Sequence, residues 1–99
     1  AKDMPKGPLK LIVNASAFDA KIRKRAMYTL KKELVTKKIT SAANIKTTNT
    51  TLIATIDNPN IKEGDALYME HVSPILEAIG VELSDDKVNY SGNTVTIKP

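Results

Sequence analysis

The sequence predicts an α/β (α+β) two-layer sandwich, with two helices on one face of a small mixed sheet. Three observations predict it. Apolar residues recur with a period near 3.6 through about 17–39 and again through 62–79. Short aliphatic or Thr-rich stretches lie at 9–13, 44–56 and 81–90, and a last one at 94–98 follows a Ser91-Gly92-Asn93 turn. The resulting order, β-α-β-(β)-α-β-β, packs as helices against a sheet.

Residues 1–8 hold Pro5, Gly7 and Pro8 among charges and read as a flexible basic arm, leaving 9–99 as a single domain. Leu9 to Val13 is nearly all aliphatic, the pattern of an interior strand. Asn14-Ala15-Ser16 follows as a turn, with Ser16 expected to cap a helix and Asp19 to face its positive end. On that helix Phe18, Ile22, Ala26, Leu30 and Leu34 fall on one arc, with Met27 at its edge. The opposite arc collects Lys21, Lys24, Arg25, Tyr28, Lys31, Lys32, Val35 and Lys38. From Lys21 to Lys38 this row would run about 25 Å at 1.5 Å per residue.

Residues 44–56 are extended but lose phase. Ile45 and Ile53 fall on odd positions, whereas Leu52, Ala54 and Ile56 fall on even ones, so a bulge or tight turn is expected around Thr48-Asn49-Thr50. Whether this is one strand or two stays open, and with it the size of the sheet. Asp57-Asn58-Pro59-Asn60 is a turn by composition. The second helix turns Leu67, Tyr68, Val72, Ile75, Leu76 and Ile79 inward and stops at Gly80. Pro74 inside it implies a kink, or a fresh start capped by Ser73. Val81 to Leu83 then opens a strand that can extend to Tyr90.

Composition excludes much chemistry. With 99 residues, no Cys and a single His71, the chain can build neither a disulfide scaffold nor a thiolate or multi-histidine metal site. No apolar run approaches the roughly 20 residues of a spanning helix, and nothing at the start resembles an export signal, so a cytoplasmic location away from membranes is expected. The triplets at Asn14, Asn49 and Asn89 are then chance matches to a glycosylation signal. The strand-turn-helix layout at Val13 to Phe18 suits phosphate, yet it has no glycine and no P-loop lysine. His71 and Glu70 are adjacent on a helix and so do not face each other. Glu63, Asp65, Asp85 and Asp86 match no EF-hand spacing. No catalytic set, cofactor site or metal site emerges, and the chain reads as a non-enzyme.

Charge carries the functional expectation. Residues 1–46 hold twelve Lys or Arg against three acids, whereas residues 47–99 hold three Lys against eight acids. The net charge of +4 therefore conceals a basic half and an acidic half. The expected function is a small nucleic-acid-binding protein, in one form regulatory, that grips the backbone of DNA or RNA with little sequence preference. Its candidate contacts are Lys21, Lys24, Arg25, Tyr28, Lys31, Lys32 and Lys38, with Lys2, Lys6 and Lys10 extending the footprint. Lysine binds phosphate as a point charge, and Tyr28 can stack on a base of a single strand. The alternative is a protein-interaction module, such as an inhibitor, accessory subunit or virion component, whose basic helix docks on an acidic partner. Homo-oligomers assembled from the basic half of one copy and the acidic half of the next are a special case of it.

The order β-α-β-α-β-β, with basic residues gathered early, is similar to that of Alba-type chromatin proteins and of the C-terminal domain of bacterial translation initiation factor three. Both bind nucleic acid, which the resemblance implies as an expectation here. It covers the element order from Leu9 to Lys98 and no motif, since Asn14 to Phe18 lacks the Gly-Lys-rich opening of the Alba family, and it carries over no residue roles.

Overall fold

In the computed structural model, which describes residues 8–99, two helices pack on one face of a five-stranded mixed sheet. The expected arm, but for Pro8, lies outside the described residues. Strand β1 (Leu9–Asn14) is central, as its aliphatic run implies. Helix α1 (Arg23–Thr36) leads to a hairpin of β2 (Ile45–Thr47) and β3 (Thr51–Ile56). Helix α2, residues 64–78, leads to a second hairpin of β4 (Val88–Ser91) and β5 (Thr94–Ile97). The strand order is β2-β3-β1-β5-β4, with β1 antiparallel to β3 and parallel to β5.

Residues 44–56 form two strands, so the sheet has five. Thr48 closes the turn: its Oγ1 accepts from the Thr50 and Thr51 amides, and its own N–H donates to the Thr51 carbonyl. The hairpin also restores the phase, because Ile45 pairs with Ala54 and both face the helices. Ile53 points the other way and is 39% exposed. The buried layer joins Leu11 and Val13, Leu52 and Ile56, and Val95 and Ile97 to Leu30, Leu34, Leu67 and Leu76 of the helices.

Three expectations about helix α1 are corrected. Helix α1 begins at Arg23, not near Ala17, because local side-chain bonds hold the preceding chain in other shapes. Asn14 Oδ1 accepts from the Ser16 amide and starts a 3₁₀ turn at Ala15–Ala17, so Asn14 and not Ser16 is the cap. Phe18 is extended and buried, Asp19 Oδ1 accepts from the Lys21 amide, and Arg23 Nε donates to the Ala15 and Phe18 carbonyls. Helix α1 also ends at Thr36, so Lys38 lies beyond it.

Pro74 produces neither a restart nor a Ser73 cap. Ser73 has helical φ −59° and ψ −45°, and its amide donates to the Tyr68 carbonyl five residues back. The wide π turn Leu67–Val72 thus absorbs the proline, whose ring would clash with the Glu70 carbonyl in a regular helix. Nor do Val81 to Leu83 form a strand. The Val81 amide is used by the Leu76 carbonyl in closing α2, and β4 starts only at Val88, after a 3₁₀ turn at Asp85–Lys87.

Candidate nucleic-acid interface

The 14 residues of α1 span about 21 Å. Ala26, Met27, Leu30 and Leu34 are buried against the sheet, which directs Lys24, Arg25, Tyr28, Lys31 and Lys32 into solvent. Among the described residues the one ion pair joins Lys37 Nζ to Glu33 at 3.7 Å. Neither residue belongs to the seven candidate contacts.

The seven do not form one row. Lys24, Tyr28 and Lys31 follow one another at i, i+4 and i+7 and line a groove with Met27 and with Thr47, Thr48 and Asn49 of the β2–β3 hairpin. Its volume is about 520 Å³. Tyr28 is 67% exposed, well above what packing would leave to an aromatic ring. Arg25 and Lys32 sit further round the helix on the outer surface.

Lys21 and Lys38 fall elsewhere, because the helix is shorter than the periodicity suggests. Lys21 borders a cleft of about 260 Å³ with Asp19, Glu82 and the α2 terminus at Gly80. Lys38 borders another of about 540 Å³ with Thr40, Asp57 and Asn58, and the Asn58 side-chain amide donates to the Lys38 carbonyl. Carboxylates line both clefts, whereas among the described residues none lines the groove at Tyr28. Lys10 lies on the sheet face away from the helices and does not extend the helical row, and Lys2 and Lys6 lie outside the described residues.

The hairpin wall of the groove was missed at the sequence level. Thr47, Thr48 and Asn49 carry no charge, and their proximity to Tyr28 follows only from the crossover that brings β2 back beside α1. The turn signal at Thr48-Asn49-Thr50 marked the loop but not its neighbour.

The other sequence candidates gain no support as sites. The Asp86 carboxyl is held below its usual range, first by a hydrogen bond from the Ser84 hydroxyl, which closes the turn before β4. Among the described residues no three His, Cys, Asp or Glu side chains gather as metal ligands would, and no helix is long and apolar enough to cross a membrane. In comparison with known proteins, no family model matches the chain, and no curated protein or solved structure matches it.

Proposed function

We propose that the protein binds nucleic acid in the groove between α1 and the β2–β3 hairpin, gripping the backbone with little sequence preference. One observation carries this reading: Tyr28 stands open to solvent between Lys24 and Lys31 in a groove that no carboxylate lines among the described residues. The two lysines are about 10 Å apart along the helix, a separation that a phosphate backbone bridges within a few nucleotides. Thr48 and Asn49 on the opposite wall supply hydroxyl and amide groups of the kind that bond phosphate and sugar oxygens. Lysine reads no base, so the affinity is electrostatic and indifferent to sequence. An exposed tyrosine adds a stacking platform, which favours single-stranded DNA or RNA over a duplex whose bases are already stacked. Arg25 and Lys32 raise the local potential and speed encounter, without lining the groove.

Anisotropy titrations with single-stranded RNA, single-stranded DNA and duplex DNA of mixed sequence test the reading. Tyr28→Ala is expected to weaken single-strand binding by about 1–3 kcal/mol for the base it stacks and to leave duplex binding nearly unchanged. If none of the three ligands binds at low salt, the proposal is wrong.

A further inference from the structure

Among the described residues the helices cover one face of the sheet and nothing packs on the other. That open face carries a cross-strand row in register, Lys46 beside Ile53, Ile53 beside Ile12 and Ile12 beside Thr96. Lys10 lies one step away on β1, and no acidic residue occurs in any of the five strands. It is a cationic surface with two isoleucines at its centre.

The outer face of α2 is its complement. Asp65, Met69, Glu70, Pro74 and Glu77 are exposed there, Met69 at 65%, and residues 64–78 contain no Lys or Arg. We propose that these two surfaces form one interface between copies, with α2 of one molecule docking on the open sheet face of the next. Charge complementarity selects the pairing, because acids then meet Lys10 and Lys46 while Met69 and Pro74 meet Ile12 and Ile53. The same rule rejects α1 as the docking helix, since Arg25 and Lys32 would face the lysines of the sheet. The dimensions agree: 15 helical residues span about 22 Å, and five strands about 4.8 Å apart span about 19 Å.

The two surfaces lie on opposite sides of one molecule, so the contact is head-to-tail and leaves a free surface at each end. A sheet face of this size offers a footprint of roughly 400 Å² per copy, about half that of a standard interface, so association is weak and sensitive to salt. It uses no groove residue and needs no nucleic acid, so it stands or falls separately from the proposed binding.

Sedimentation of the full chain from about 10 μM to about 1 mM, at about 20 mM and about 500 mM salt, tests it. At low salt the mean mass is expected to climb past that of a dimer, and at high salt to return to that of a monomer. Ile53→Asp, at a half-exposed position, and Glu70→Lys with Glu77→Lys should each abolish the growth. Mixed in equal amounts, the two variants each retain one intact surface and should form a dimer and nothing larger. Lys10→Glu with Lys46→Glu serves as a second sheet-face variant where Ile53→Asp fails to fold. A monomer under all conditions, growth that survives either set of substitutions, or a mixture that stays monomeric overturns the proposal. So does a monomeric chain whose oligonucleotide binding is lost in Ile53→Asp, which would assign the face to nucleic acid.

Discussion

Helices α1 and α2 lie on the same face of the same sheet and meet the same burial requirement with opposite outer surfaces. Inward, α1 buries Ala26, Leu30 and Leu34, and α2 buries Leu67, Val72 and Leu76. Outward, α1 presents Lys24, Arg25, Lys31 and Lys32, and α2 presents Asp65, Glu70 and Glu77. Packing dictates the inward residues alone, so the fold itself does not demand this separation of charge.

The helix ends extend the comparison. Both close with the same pair of backbone bonds: Ile39 N–H to Leu34 carbonyl and Lys38 to Val35 in α1, Val81 to Leu76 and Gly80 to Glu77 in α2. The closure needs a left-handed residue, which is Gly80 at φ +84° in α2 but Lys38 at φ +60° in α1. Only α2 has the residue without a Cβ penalty.

The largest expected effect is at the start of α2, where Gly64 packs against β5. A Cβ added there would lie 2.8 Å from Val95 Cγ2, so Gly64→Ala should cost about 1–3 kcal/mol in a urea melt. Next come the two closures. Gly80→Lys should destabilise by about 1–2 kcal/mol, although no neighbour lies within 4 Å of the added Cβ, because the left-handed backbone alone opposes it. Lys38→Gly should do the reverse and stabilise by about 0.5–1 kcal/mol, part of the relieved strain being lost to the greater freedom of glycine when unfolded. Equal and negligible effects at both ends would break the comparison.

A smaller effect separates the helices at alkaline pH. Burial, foremost, holds the Tyr68 hydroxyl above its usual 10.0; the Asp85 and Glu77 carboxylates push the same way, and a hydrogen bond with Ser73 opposes them. A value raised in the folded state means that the stabilisation is whole below pH about 10 and is lost as pH rises through the raised value. Urea midpoints should therefore fall above pH about 10 in the wild type and fall less in Tyr68→Phe. Identical alkaline curves would remove Tyr68 as the cause.

What the sequence made legible follows from which forces are local. The two-layer architecture, the buried arc from Ala26 to Leu34 and the final hairpin rest on periodicity and turn chemistry, both of which are written in the order of residues. The start of α1 was not legible, because the side-chain bonds of Asn14 and Asp19 compete with helix formation through geometry that a residue count does not carry. Pro74 was visible as a disturbance, but the π turn that absorbs it was not. In the candidate site, exposure of Lys24, Tyr28 and Lys31 could be read from the arc opposite the core. The splitting away of Lys21 and Lys38 and the hairpin wall depend on the true helix length and on a crossover, both of them tertiary facts.

The central claim is that Lys24 and Lys31 neutralise phosphates in the groove, and the salt dependence of binding measures it most directly. The slope of log K against log salt, taken with single-stranded DNA for the wild type and for Lys24→Gln with Lys31→Gln, should become shallower by about 1.4, or about 0.7 for each phosphate no longer neutralised. An unchanged slope in a folded double variant, with the change appearing instead in Lys21→Gln with Lys38→Gln, would contradict the account.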